Sequence, residues 1–308
     1  MLRYLTQRLL WMLVELVGIS LITFVLAFLV PADPARLYAG PHATLATIRN
    51  IRHQLGLDQP LWTQYLDYLW RLLHLDLGTS YELHVPVLQA ILQRAPATAE
   101  LAAGGILFEL LLGVPIGLLA AMRPRGLVDR LGTGLTLLGI STPSFVLSYL
   151  LIFLVWFKLG LFESGGYGDP LPLYLFLPAF ALGLSGAAFY ARLLRSNMQD
   201  ILRADYVRTA RAKGLPLRRV VLRHAFPNAF NVLATQLGLD IGYFLSGVLL
   251  IEVPFSWPGV GRQAWEAITN LDVPLVLGTV LFGAVAILGA NIVVDILYAF
   301  LDPRVRYD

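Results

Sequence analysis

Long apolar runs alternate with polar segments along this chain. Six of the runs are long enough to form a membrane-spanning helix, and they cover residues 9–30, 98–122, 131–157, 171–191, 230–251 and 274–294. A bilayer core of about 30 Å requires about 20 apolar residues in helical form. The pattern therefore predicts an all-α polytopic membrane protein with six transmembrane helices.

The composition supports a membrane protein. Apolar residues make up 57% of the 308 residues and charged residues 14%, against about 45–50% and about 25% in soluble proteins, and the mean hydropathy is +0.69. These values exclude a soluble globule and a disordered chain. The chain has no cysteine, which excludes disulfides and thiolate metal sites.

The first apolar run resembles a signal peptide because Arg3 and Arg8 precede it. Its apolar stretch is longer than the roughly 7–15 residues of a signal sequence. No small-residue cleavage site follows it at residues 31–34. We therefore interpret residues 9–30 as an uncleaved N-terminal anchor.

The basic residues predict the orientation of the chain. If both termini are cytoplasmic, 16 of the 23 Lys and Arg residues and only five of the 20 acidic residues lie on the cytoplasmic side. Cytoplasmic loops carry an excess of Lys and Arg. We therefore expect both termini inside and three outer segments, at residues 31–97, 158–170 and 252–273.

The first outer segment is expected to contain two short helices, at residues 44–55 and 60–73, with Pro60 at the first helical position. In the second helix, Trp62, Leu66, Leu69 and Leu73 share one face. That face is interpreted either as lying on the membrane surface or as capping the bundle. Residues 252–273 are rich in proline and glycine, and they predict a rigid re-entrant or capping turn.

The sequence contains no catalytic motif that we recognise. Neither of the two lysines, Lys158 and Lys213, follows the glycine pattern of a phosphate-binding loop, and there is no H-E-x-x-H pair. Metal-ligand spacing is also missing, which favours ordinary surface histidines over a metal site. The five histidines are His42, His53, His74, His84 and His224. We expect no enzyme activity, no metal and no cofactor bound by this chain.

Two acidic residues within the apolar runs are candidates for a translocation pathway, because a charge in the membrane is costly and usually functional. Asp240 is central in its run, and Glu109 lies inside the second run. Gly238 and Gly242 flank Asp240 at a spacing that favours close helix contact. An interhelical hydrogen bond is the alternative interpretation of Asp240.

The most informative segment is the cytoplasmic connection at residues 195–229, which contains eight Lys and Arg residues. Asp205 and Lys213 lie where the helix dipole favours an anion and a cation. Gly214 and Pro216 indicate a helix stop. The pattern predicts two short helices around a break. From the residues alone, a docking element and a simple topology signal remain equally open.

Residues 205–214 read DYVRTARAKG and resemble the cytoplasmic loop of peptide and nickel importer permeases of the ATP-binding-cassette class. The broader class has the pattern E-A-A-x-x-x-G, with which Arg208, Thr209, Ala210 and Gly214 align, whereas the first positions depart from it. Further resemblance to the same family occurs at residues 56–61, 252–262, 272–274 and 295–304.

This resemblance implies the fold of a type I importer permease. Residues 1–97 would form the anchor helix and an extracytoplasmic segment, and residues 98–308 a five-helix core. The permease would pair with a second homologous permease in the bacterial cytoplasmic membrane. Two cytoplasmic ATPase subunits would carry ATP and Mg²⁺, and an extracytoplasmic binding protein would deliver substrate. No nucleic acid is expected as a partner.

The resemblance also implies roles for individual residues. Ala210 would pack into a cleft of the ATPase, and the helix around it would transmit ATPase closure to the pore. The residues implied in this coupling are Asp205, Tyr206, Arg208, Thr209, Ala210, Ala212, Lys213 and Gly214. The outer gate or turn would comprise Trp257, Pro258, Gly259 and Gly261.

The expected cargo is a small peptide, such as a dipeptide, an oligopeptide or a glutathione-like molecule. Nickel or a metal chelate is the alternative within the same family. A secondary transporter is the alternative from a different class, but it would favour an inverted repeat, which we do not find in the sequence.

Overall fold

The computed structural model describes residues 2–29, 33–40, 42–124, 126–127, 129–130, 134, 139, 141–163 and 165–301. Its α-helices in chain order are α1 (Leu2–Leu29), α2 (Pro34–Ala39), α3 (Leu45–Gln54), α4 (Leu61–Leu73), α5 (Val87–Met122), α6 (Ser144–Leu151), α7 (Leu171–Ile201), α8 (Asp205–Ala212), α9 (Leu217–Arg219), α10 (Phe226–Leu245), α11 (Leu249–Glu252), α12 (Val260–Thr269) and α13 (Val273–Leu301). Two π-helical turns, Ile152–Lys158 and Val220–Ala225, follow α6 and α9 directly.

Four helices in the described part of the chain are long and apolar enough to cross a membrane, namely α1, α5, α7 and α13. The chain is thus a multi-pass membrane protein. The prediction located these four runs correctly, but their helices extend further than the apolar residues. α5 begins at Val87 rather than at residue 98, and α7 continues to Ile201 rather than ending at residue 191.

The other two predicted spans are divided rather than continuous. In the third, Thr142 and Pro143 are not helical, and α6 begins at Ser144. A proline disfavours helical geometry in the residue before it, which accounts for the break at Thr142. Most of residues 131–140 lie outside the described residues. In the fifth, α10 ends at Leu245, and Gly247 has a φ of 106°. The prediction of an unbroken helix over residues 230–251 was therefore wrong.

The helix bundle is held together by α5 against α7 and by α10 against α13. Small residues allow the helices to approach closely, as is usual in membrane bundles. A Cβ atom on Gly113 would lie 2.7 Å from the Tyr190 Cβ, and one on Gly242 would lie 2.6 Å from the Ala290 Cβ. The small-residue spacings identified in the sequence thus mark real helix contacts.

The anchor helix α1 packs along α13, and the Arg8 guanidinium lies 3.0 Å from the Asp295 carboxylate. The outer helices α3 and α4 occur as predicted. Thr44 caps α3 by accepting a hydrogen bond from the Thr47 N–H at 3.2 Å. Pro60 precedes the first helical residue of α4, so its predicted place inside the helix was wrong by one position.

Candidate functional site

Helix α8 lies between two core helices of the bundle, α7 and α10, along the chain. It follows α7 after one tight turn, in which the Arg203 and Ala204 N–H groups donate to the carbonyls of Asp200 and Ile201 at 3.1 and 3.0 Å. On its other side, α9 and a π-helical turn lead directly into α10. The second short helix predicted in this loop is therefore the start of the α10 segment. Short turns at residues 202–204 and 213–216 therefore connect α8 to α7 and to the segment of α9 and α10.

The end of α8 is a Schellman-type stop. Gly214 adopts a φ of 75°, a left-handed conformation that glycine adopts without a Cβ penalty. Its N–H donates to the Arg211 carbonyl at 2.9 Å, and the Leu215 N–H donates to the Ala210 carbonyl at 3.4 Å. These are the two bonds that define the motif. The helix stop predicted from Gly214 is confirmed.

One face of α8 is buried against this chain itself. Val207, Ala210 and Val220 form a small apolar cluster, with Ala210 only 8% exposed. Ala210 therefore contacts its own chain, and the interpretation that it packs into a partner's cleft stays a prediction. In this structure its small side chain allows α8 to lie flat on the π-helical turn, and a different face of the helix is free.

The free face of α8 is polar and carries more positive than negative charge. Asp205 and Arg208 form an ion pair at 3.5 Å, with their side chains 97% and 74% exposed. The Thr209 hydroxyl donates to the Asp205 carbonyl at 2.9 Å. The exposed residues on α8 and its cap are Asp205, Tyr206, Arg208, Thr209, Arg211, Ala212, Lys213 and Gly214.

Tyr206 links this free face to the beginning of α10. The Asn228 side-chain amide donates to the Tyr206 hydroxyl at 3.1 Å. The same amide also lies 3.1 Å from the His224 carbonyl. The aromatic side chain of Tyr206 remains 47% exposed, so it can meet a partner while its hydroxyl group is held by this chain.

Within the membrane, Asp240 is a hydrogen-bonded residue at the contact between α7 and α10. The Tyr190 hydroxyl donates to its Oδ2 at 2.6 Å, and the Gln236 amide donates to its Oδ1 at 2.9 Å. Asp240 is partly buried. Asp240 therefore forms an interhelical hydrogen bond, as one of the two interpretations expected, while its role in the pathway stays a prediction. Tyr190 was not identified from the sequence, since an isolated tyrosine in an apolar run gives no signal.

Glu109 differs from Asp240 because it is almost fully enclosed. It is 2% exposed, and its Oε2 has no hydrogen-bond partner among the described residues. It packs against Gly186, where an added Cβ would lie 1.6 Å from Oε1. In this conformation Glu109 lies where α5 packs against α7, and its role in the translocation pathway stays a prediction.

The outer turn is organised around a buried carboxylate that sequence reasoning did not single out. Glu252 is fully buried, and it accepts hydrogen bonds from the Thr98 hydroxyl at 3.0 Å and from the Arg262 N–H at 2.7 Å. Burial raises the pKa of Glu252, and these hydrogen bonds oppose the increase. Gly259 and Gly261 fold around the carboxylate, since a Cβ on Gly259 would lie 2.3 Å from it.

Trp257 closes the same turn against the outer part of α5. Its indole N–H donates to the Ala97 carbonyl at 2.7 Å, and its side chain is fully buried. The ring of Tyr167 packs edge-on against it, with centroids 5.1 Å apart. Pro258 follows at the surface of the turn, half-buried. The structure shows a tightly packed turn that leads into α12 in this segment, and its rigidity and its movement as a gate stay predictions.

Similar proteins are transport permeases. The probable D,D-dipeptide transport system permease protein of Escherichia coli is 40% identical over 98% of this chain and 96% of its own length. The dipeptide transport system permease protein of Escherichia coli is 36% identical over 100% and 99%. The glutathione transport system permease protein of Salmonella typhimurium is 39% identical over the full length of both chains.

Solved structures show the same fold. A chain of the MetNI methionine ABC transporter in an inward-facing conformation matches with a TM-score of 0.55 and 16% identity, over 70% of this chain and 97% of that chain. A second crystal form of that transporter gives a TM-score of 0.56 at 17% identity. The likeness shows that the helical core has the fold of an ABC importer permease.

Two family models cover almost the whole sequence. Residues 1–102 match the N-terminal membrane component of binding-protein-dependent transport systems. Residues 113–307 match the inner membrane component of the same systems. The second match includes α8 and its Schellman stop. This chain therefore belongs to the family of binding-protein-dependent transport system inner membrane components.

Proposed function

We propose that this chain is one of two pore-forming permeases in an ATP-driven importer of small peptides, with α8 as the element that receives force from a cytoplasmic ATPase. One observation carries the proposal. Helix α8 packs on its own chain through Val207 and Ala210. Short turns connect it to α7 and to the segment that leads into α10, and its charged face remains exposed. This arrangement suits a lever moved by a partner protein.

The relatives support a peptide cargo. Those described above are named for D,D-dipeptides, dipeptides and glutathione, all of which are short peptides or peptide-like molecules. A dipeptide or a glutathione-like tripeptide is accordingly the proposed substrate class. An extracytoplasmic binding protein would deliver it, and a second homologous permease would complete the pore in the bacterial cytoplasmic membrane.

The proposed route of coupling follows contacts within the chain. Two ATPase subunits, which hold ATP and Mg²⁺, would each engage the α8 helix of one permease. Closure of the ATPases would move α8 together with the cluster of Val207, Ala210 and Val220. That movement would reach α7 and α10, whose contact in the membrane includes the hydrogen bond between Tyr190 and Asp240. The relative position of these two helices would then set the access of the pore.

The proposal is tested by transport in vesicles that contain this chain and its partner subunits. When ATP is supplied on the side of the membrane that carries the ATPases and the binding protein is present, a labelled dipeptide should accumulate in the vesicles. Uptake of a nickel salt or nickel chelate instead of peptides would support nickel or a metal chelate as the cargo. Uptake driven by an ion gradient with the ATPases removed would contradict the whole proposal.

A further inference from the structure

The outer helix α4 has three distinct faces. Tyr65 and Tyr68 face α1, whereas Asp67 and Arg71 line a cleft of about 680 Å³ that also includes the beginning of α13. The remaining face is apolar and lacks a protein neighbour within the described part of the chain. Its residues are each 54% to 78% exposed, and they are Trp62, Leu66, Trp70 and Leu73.

The contacts of α4 with α1 fix its depth. The Tyr65 hydroxyl lies 3.0 Å from the Ser20 hydroxyl and donates to the Val17 carbonyl at 3.2 Å. The Phe24 ring packs against the rings of Tyr65 and Tyr68, with centroid distances of 5.3 and 5.8 Å. All three α1 residues lie inside its apolar run, residues 9–30. Helix α4 is therefore attached to a part of α1 that lies within the bilayer.

The depth of this attachment matches that of an interfacial helix. Phe24, which packs against both tyrosine rings, precedes the end of the apolar run at residue 30 by six residues, which at about 1.5 Å per residue is about 9 Å below that end. The Tyr65 hydroxyl reaches Ser20, four residues deeper. Helices that lie in the membrane interface bury their apolar face by about 5–10 Å. Tyr65 and Tyr68, rather than the apolar residues, make the described contacts with α1, which favours the membrane-surface interpretation of the apolar face over the capping interpretation.

The side chains of α4 are distributed as a membrane surface requires. Leu66 and Leu73 lie at the centre of the apolar face, and the tryptophans Trp62 and Trp70 are of the type enriched at membrane interfaces. The charged residues Asp67 and Arg71 lie on a different face and line the cleft. On α1, Ile22 is 62% exposed and belongs to the same apolar run, so it serves as a lipid-facing residue for comparison.

From these contacts we infer that α4 lies in the outer leaflet of the membrane, with its apolar face in contact with lipid acyl chains and its polar face towards the cleft. The outer segment at residues 31–97 is then a membrane-embedded part of the permease rather than a domain in the aqueous phase. The inference is independent of the cargo and of the ATPase.

The absence of native cysteine makes a direct test possible. Single cysteines at Leu66, Asp67 and Ile22 are labelled with bimane in the complete transporter, assembled with cysteine-free partners in phosphatidylethanolamine–phosphatidylglycerol vesicles. Brominated acyl chains report lipid contact, and iodide reports water contact. Ile22→Cys is the lipid-facing reference, and Asp67→Cys is the adjacent polar control on the same helix.

We expect the label at Leu66 to be quenched by brominated lipid several-fold more strongly than the label at Asp67, to a degree similar to the label at Ile22. Quenching at Leu66 mainly by iodide would place this face in water and overturn the inference. Protection from both quenchers would show that a protein subunit covers the face, which would also overturn it. Trp70→Cys is the second variant if Leu66→Cys does not assemble.

Discussion

The Tyr190 hydroxyl donates a 2.6 Å hydrogen bond to Asp240 Oδ2 and thereby joins α7 to α10 inside the membrane. The Gln236 amide donates a hydrogen bond to the other carboxylate oxygen, Oδ1, at 2.9 Å. Because α7 leads into α8 and α10 follows it, this bond lies between the two helices that flank the proposed coupling element. Its strength affects how these helices move relative to each other.

We expect Asp240→Asn to impair uptake while leaving assembly intact if Asp240 lines a hydrated pathway, because the amide keeps the shape but removes the charge. If Asp240 acts only as a helix contact, Asp240→Asn should be tolerated, whereas Asp240→Leu should destabilise the complex. The leucine would leave the Tyr190 hydroxyl without its acceptor, at a cost of about 1–3 kcal/mol. ATP-driven uptake and the melting temperature separate these outcomes, and normal uptake by a well-expressed Asp240→Leu variant would contradict both roles.

The proposed orientation predicts which residues are reached from outside. A single cysteine at His84, which is exposed in the first outer segment, should react with a membrane-impermeant maleimide in intact cells. A cysteine at Arg219, exposed at the end of α9, should react only after the membrane is opened. The prediction rests on the excess of Lys and Arg in the loops assigned to the cytoplasm. A reversed labelling pattern would show that the termini lie outside.

The buried carboxylate of Glu252 should stabilise the outer turn. Glu252→Gln keeps the side-chain shape, but one acceptor oxygen becomes a donor that faces the Arg262 N–H or the Thr98 hydroxyl. We expect a loss of about 1–3 kcal/mol, measured by intrinsic fluorescence during thermal unfolding of the purified complex. Glu266→Gln is the matched control, because Glu266 pairs with Arg262 at 2.8 Å on a more exposed surface.

The stability gap between wild type and Glu252→Gln should depend on pH. Burial raises the pKa of Glu252 in the folded chain above its ordinary value of 4.5. A group with a raised pKa contributes stability that is fully present below its unfolded pKa and is lost as the pH rises through its folded pKa. The gap should therefore narrow as the pH increases, and a gap that widens with pH would contradict this assignment.

Different residues of α8 pack on its own chain and face outwards, so the two roles of the helix can be tested with separate variants. Ala210→Glu would force a carboxylate into the cluster of Val207 and Val220, where an unpaired charge is costly. Ala212→Glu adds the same side chain on the exposed side of the helix. We expect Ala210→Glu to lower ATPase retention on co-purification more than Ala212→Glu, with the second permease still bound in both. Equal loss in both variants would indicate that contact with the partner, rather than seating, determines binding.

The apolar spacing predicted four long helices because each apolar run is long and nearly free of charge, and the internal prolines Pro115 and Pro178 do not interrupt helices α5 and α7. It placed a fifth helix over residues 230–251 because Gly247 looks ordinary in an apolar run. Only its contact with Gly261, whose N atom would lie 2.6 Å from an added Cβ, shows why the chain must turn there. The local signal at Gly214 predicted the end of α8 correctly, since a cap is a property of a few consecutive residues.

Long-range partners were not accessible to the same reasoning. Thr98 and Glu252 are far apart in the sequence, and neither belongs to a motif that points to the other, yet their side chains bond at 3.0 Å. The burial of Ala210 was also missed, because helix periodicity does not say which side of α8 its own chain covers. Pairings of this kind depend on how the helices fold back, and one sequence does not encode that in its spacing.

The prediction most specific to coupling concerns Gly214, which closes α8 with a φ of 75°. An ordinary residue in this conformation costs about 1–2 kcal/mol, and a β-branched residue is tolerated less well than asparagine. Nothing lies within 4 Å of an added Cβ at this position, so the cost comes from the backbone rather than from a clash. We expect Gly214→Val to displace the helix end and to lower ATPase retention, or to leave the ATPase bound with hydrolysis uncoupled from uptake. Gly214→Asn should keep most of the wild-type activity. Wild-type ATPase retention and uptake in Gly214→Val would show that this loop serves only as a topology signal.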